Sequence, residues 1–257
     1  MFLPKLKVLP IDPEENVKFI IGYLEKEGSG NTTRPFFEKT VKLYPELKDI
    51  NDVGGEDVDE KAARVRDAVM ARLEGKRTEI EERIKYFQEK FDSFIPQFIE
   101  AQCKLFNYEW TESNPEILCF VGYLPFYPRS TKDKCFYVSY QDEERVFSGA
   151  VHEINHMIFF EKWNEMHGGN LEEKLWPDPL WFLEEIIVDP TLNDPSVRKY
   201  TLYDNKAYPQ FYERDEETGV SIMDLVKGCY ERKESIEGFL EEAYEVVEGY
   251  CGRRAER

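Results

Sequence analysis

Residues 152–156 read His-Glu-Ile-Asn-His. This HExxH run constrains the fold more than any other stretch, because its chemistry requires a helix. A spacing of four stacks both imidazoles on one helical face, where they can share one ion. Glu153 then lies beside the pair, placed to take a proton from water that the metal activates. The chain has only 3 histidines, so the pairing is not a by-product of a histidine-rich composition. Val146, Phe147, Ala150, Val151, Ile154, Met157 and Ile158 recur at helical spacing and predict a helix with a buried face. Asp142, Glu143 and Glu144 suit its first turn, where acids meet the positive end of the helix dipole.

Charge narrows the partners. With 34 basic and 52 acidic residues in 257, the formal net charge is −18. Such a surface repels phosphate backbones, which argues against nucleic acid, and favours basic or neutral substrates. The five cysteines, Cys103, Cys119, Cys135, Cys229 and Cys251, form no CxxC pair, which argues against a disulfide framework and a cysteine-rich zinc site. The first residues, MFLPKLKVLPIDPEE, lack the apolar run of a signal peptide, and no window approaches a membrane span. The expected setting is the cytoplasm, with reduced thiols and no membrane.

Along the chain, residues 2–12 read as an extended edge strand. A helix follows Asp12-Pro13 and ends near Gly28, where Gly28-Ser29-Gly30-Asn31 forms a loop. Arg34 to Leu47 reads as helical, and Asn51 to Asp57 as a polar break. Ala62, Val65, Val69 and Leu73 make one helical stripe, with Gly75 dividing it from a second. Ile84, Phe87, Phe91, Phe94, Phe98, Ala101 and Leu105 step by three and four, a core periodicity, with a kink expected at Pro96. After Asn107 the texture changes. Ile117–Leu124 and Lys134–Tyr140 read as strands of a hairpin that feeds the HExxH helix, joined by a loop through Pro125, Pro128, Arg129 and Ser130. The expected class is α+β and predominantly helical, with a small sheet beside the active-site helix. The expected division is a helical N-terminal region, 1–110, and a catalytic region, 111–257.

A catalytic zinc takes three protein ligands and keeps one position open. His152 and His156 supply two. His167 lies eleven residues past His156, but the metzincin pattern needs histidine six past it, where Lys162 stands. His167 therefore reads as an exposed loop residue or a proton donor on the substrate side. Glu184 and Glu185 lie in Leu180–Pro190, a segment so apolar that it reads as one buried helix. Asp189 follows Glu185 by four, at the expected negative end of that helix, and needs a stabilising partner. A metal-bound histidine donating its second ring N–H fits that need.

HExxH followed by a helix bearing E-x-x-x-D resembles the gluzincin metallopeptidases over about forty residues, Val151 to Pro190. The resemblance implies a zincin-like catalytic region and one Zn2+ per chain. It implies His152, His156 and Glu185 as ligands, Glu153 as general base and Asp189 as support for His152. Glu185 is favoured over Glu184 because only Glu185 has an acid four residues on. The G-x-M-E-N element of the aminopeptidase branch is absent, so the resemblance does not extend to that activity. Gluzincin sites also use a tyrosine or histidine beyond the third ligand to stabilise the oxyanion. Tyr200, Tyr203, Tyr208 and Tyr212 lie there, and Tyr208 is the selected candidate. The implied substrate is a peptide or protein, adding as a strand along Cys135–Tyr140. Two other classes stand beside this one. The first is a non-peptidase zinc hydrolase, although the cysteine ligand motif of peptide deformylases is not matched at Cys119 or Cys135. The second is a non-catalytic, metal-binding interaction protein on the same fold.

Overall fold

The structure is a computed structural model that describes residues 2–25, 36–50, 58–169, 173–216 and 218–255. Its elements run β1 (Lys5–Pro10), α1 (Pro13–Glu25), α2 (Phe36–Leu43), α3 (Val58–Gly75), α4 (Arg77–Leu105), β2 (Glu116–Gly122), β3 (Arg129–Ser130) and β4 (Cys135–Ser139). They continue as α5 (Glu143–His167), α6 (Pro179–Ile186), α7 (Val188–Leu192), α8 (Pro195–Arg198), α9 (Ile222–Glu231) and α10 (Ile236–Ala255). The α+β, mainly helical class is as expected. The loop read at Gly28–Asn31 and the break at Asn51–Asp57 lie outside the described residues. The Arg34–Leu47 helix is shorter than expected: α2 stops at Leu43, and a single 3-10 turn, Pro45–Leu47, follows.

The four strands form one mixed sheet in the order β1-β2-β4-β3. β1 is an outer strand, as expected, and runs parallel to β2 with Lys5 opposite Glu116. The sheet therefore joins chain from both sides of position 110. The expected hairpin is corrected. β2 and β4 are parallel, and the antiparallel contact is β3 with β4, Arg129 opposite Phe136. The connection after β2 does not turn back tightly. It carries Tyr123, Leu124 and Phe126 into the core before re-entering the sheet as β3. β4 is buried at all five positions, the pattern of a parallel inner strand rather than an alternating one. Cys135–Tyr140 is thus not the free edge expected for substrate, since β3 and the carbonyl of Pro128 already cover it through Tyr137.

α4 runs as one helix through Pro96, with Pro96 inside its span. Its phenylalanine stripe is core: Phe87, Phe91 and Phe98 are fully buried. Phe147 of α5 meets this stripe edge-on, at 5.7 Å from Phe87 and 5.2 Å from Phe91, centroid to centroid. Such aromatic contacts, worth about 0.5–1.5 kcal/mol each beyond area burial, fix α5 against α4. α5 itself starts where expected: the Asp142 side chain accepts from the Arg145 N–H at 3.1 Å. It ends at Gly168, whose φ of 63° only glycine adopts freely.

The apolar segment 180–190 is not one helix. α6 ends at Ile186 and α7 begins at Val188. Pro190 explains the break, because its ring clashes with the carbonyl four residues back, that of Ile186, and it has no N–H to donate. Asp189 consequently stands in the first turn of α7, where the helix dipole favours it, instead of at a helix C-terminus. Among the described residues, no helix is long and apolar enough to cross a membrane.

Candidate metal centre

α5 presents His152 and His156 one turn apart. Their Nε2 atoms lie 2.8 Å from each other. Glu185, near the end of α6, brings Oε2 to 3.4 Å from His152 Nε2 and 3.7 Å from His156 Nε2. Ligands about 2.0–2.1 Å from a tetrahedral zinc stand about 3.3 Å apart, and these three separations bracket that value. Among the described residues, this is the one group of three or more side chains placed to hold a metal ion. His156 is fully buried, and burial holds its imidazole well below the usual pKa, with Arg129 and His152 adding to the effect. The ring is therefore neutral, the form that ligates. His152 moves upward: burial opposes its charge, but the Glu185 and Glu153 carboxylates outweigh it.

Glu184 and Glu185 divide the work. Glu185 faces the two Nε2 atoms, while Glu184 Oε2 lies 3.8 Å from His156 Nδ1, on the other side of the ring. That Nδ1 is buried without a hydrogen bond. With Nε2 turned to a metal, Nδ1 carries the proton, and Glu184 is the carboxylate nearest to it, just beyond hydrogen-bond distance. Asp189 does not fill the role expected of it behind His152. Its Oδ2 accepts from Tyr212 Oη at 2.5 Å, and its Oδ1 accepts from Asn193 at 3.1 Å and from Lys227 Nζ at 2.9 Å.

One cation organises the carboxylates. Arg129, in β3, reaches Glu173 at 2.6 Å, Glu184 at 2.9 Å, Glu153 at 3.3 Å and Glu185 at 3.8 Å. Four carboxyl groups thus converge on one guanidinium in a largely buried space. Burial raises the Glu153 carboxyl above its usual pKa, only partly offset by Arg129. Burial also raises Glu184 well above the usual range. Arg129 holds Glu153 through Oε2, and among the described residues no hydrogen bond reaches Oε1 of Glu153.

Sequence reasoning passed over Arg129 because it stands in what read as a polar connection. It also passed over Asn155, inside the motif. Asn155 is fully buried, and its Oδ1 accepts from Gln102 Nε2 of α4 and lies 3.0 Å from Thr191 Oγ1 of α7. A polar residue on an otherwise apolar helical face was the available signal.

The centre opens into a cleft of about 730 Å3 lined by His152, Glu153, Glu185, Tyr127 and Tyr208. Of the four tyrosines considered for the oxyanion, Tyr208 alone lines it, stacked on Trp181 at 5.7 Å. Tyr212 is committed to Asp189. His167 is no ligand. It is the last residue of α5, about 16 Å along the axis from His156, packed 4.1 Å from the Trp163 ring. Lys162, where a metzincin would place histidine, is buried and binds Glu237 of α10 at 2.6 Å. Compared with protein-family models, with curated proteins and with solved structures, the chain shows no match.

Proposed function

We propose that the chain is a zinc-dependent metallopeptidase of gluzincin type, with a zincin-like catalytic region and a peptide or protein substrate. The observation that carries this reading is the convergence of His152 Nε2, His156 Nε2 and Glu185 Oε2 within 4.8 Å, with Glu153 beside them on the same cleft. Those three residues would hold the ion. When bound, zinc supplies Lewis-acid polarisation and a lowered water pKa.

The chain's own groups do the rest. Glu153 takes the proton of the attacking water on Oε1, the oxygen not engaged by Arg129, and returns it to the leaving amine. Its raised pKa matches a base that must also act as an acid. Arg129 fixes the carboxylate orientations without titrating, since guanidinium stays charged. Glu184, whose Oε2 stands 3.8 Å from His156 Nδ1, would accept from that nitrogen when the centre draws in around an ion, keeping the ring turned the productive way. Tyr208 is the candidate donor to the developing oxyanion.

The test is Glu153→Gln. A peptidase loses cleavage of a peptide library by at least 100-fold while keeping one zinc per chain by elemental analysis. Unchanged cleavage would refute the role of Glu153. Zinc-loaded wild type that cleaves no peptide would leave the binding-protein reading.

A further inference from the structure

The whole chain is strongly acidic, yet the cleft rim is not. Outside the metal centre, its charged lining residues are Lys39, Arg145, Lys206 and Asp204. Asp204 is already paired with Arg198 at 2.7 Å. Of the cations lining the cleft in a molecule of formal charge −18, Arg145 is the best prepared.

Arg145 sits on α5, seven residues before His152 and on the face that lines the cleft. Its guanidinium rests 4.2 Å from the centroid of Tyr127. Tyr127 in turn lies against Gly149, where an added Cβ would stand 3.3 Å from the ring. The stack sets the guanidinium plane in advance while leaving its edge N–H groups available. Its described side-chain hydrogen bond is a long one, 3.5 Å to the Pro125 carbonyl, and among the described residues no carboxylate forms an ion pair with it. Seven residues of helix span about 10 Å, the reach of about three residues of extended peptide.

We propose that Arg145 is a specificity residue that binds a carboxylate of an acidic peptide substrate, about three residues from the scissile bond. This rests on the peptidase reading and reverses the preference that net charge alone implies. Lys206, an exposed lining residue with no ion pair among the described residues, adds to the attraction.

The experiment uses full-length, zinc-loaded protein and a fluorogenic peptide series with Glu, Gln or Lys at each of three positions on either side of the cleaved bond. At one position, Glu raises kcat/KM at least tenfold over Lys, and the gap shrinks as salt rises. Arg145→Glu inverts the order there, whereas the same reversal at the exposed Lys85 of α4 does not. Equal kcat/KM for Glu and Lys at all positions, or an order unchanged in Arg145→Glu, overturns the proposal. Binding to Glu153→Gln separates the two readings. Anisotropy with the Glu and Lys peptides shows the same tenfold difference, lost in Arg145→Glu, even if no member is cleaved. Equal affinities there also overturn it.

Discussion

Replacing Arg129 by methionine removes the one guanidinium that faces four carboxylates, while keeping an unbranched side chain. The Arg129 side chain is 13% exposed and lies 2.6–3.8 Å from Glu173, Glu184, Glu153 and Glu185. Deleting one partner of a buried ion pair destabilises by about 3–5 kcal/mol, because the remaining charge is left buried. At about 2–4 °C per kcal/mol for a chain this long, the melting temperature of metal-free protein falls by about 6–20 °C at neutral pH. The pH dependence follows from the proton balance. Burial holds Glu153 and Glu184 above their usual 4.5 in the folded state. Above that pH the folded chain therefore binds more protons than the unfolded one, and stability falls as pH rises through the folded pKa values. Without Arg129 both carboxyls rise further. His156, whose charged form Arg129 disfavours, is also relieved, which helps the variant at low pH. The deficit of Arg129→Met accordingly widens between about pH 5 and about pH 8. Thermal melts of EDTA-treated protein at both pH values measure it. A variant within about 2 °C of wild type at pH 8, or a deficit no larger there than at pH 5, would refute the assignment of Arg129 as the counter-charge.

Zinc titration of apo-protein should rank the neighbouring glutamates: Glu185→Ala loses a ligand and retains little zinc, whereas Glu184→Gln weakens affinity by roughly 10–100-fold. Equal losses would mean that the two carboxylates have been assigned to the wrong sides of His156. Asp189→Asn should keep wild-type zinc affinity but lower thermal stability, since its partners are Tyr212, Asn193 and Lys227; a tenfold loss of zinc affinity would return Asp189 to the centre. Asn155→Leu leaves the Gln102 amide buried without its acceptor, a cost of about 1–3 kcal/mol by chemical denaturation, and no change would show that the tie between α4 and α5 is dispensable.

The HExxH helix was legible because the motif, the apolar periodicity and the acids of its first turn agree on it. Glu185 was legible because a carboxylate in so apolar a segment needs a partner. The role of Asp189 was not, because it depended on treating 180–190 as one helix, and Pro190 divides that segment at Ile187. The strands were legible as strands, but their pairing was not. Residue patterns mark β2 and β4 as buried without saying which way each runs. Arg129 was hidden for a related reason: a two-residue strand has no period to detect, and its four partners come from three separate stretches of chain.

The pairing of β1 with β2 has a consequence for synthesis. Lys5 meets Glu116, 111 positions later, so β1 has no ladder partner until much of the chain after it has been made. At about 5–20 residues per second, that interval is on the order of ten seconds on the ribosome. During it β1 can rest on α4, whose Gln88 side chain bonds the Val8 N–H and the Leu6 carbonyl, but the edge that pairs with β2 stays open. A fragment ending near residue 110 would keep that edge of β1 unpaired and should aggregate through it, whereas one extended through β4 can close the sheet.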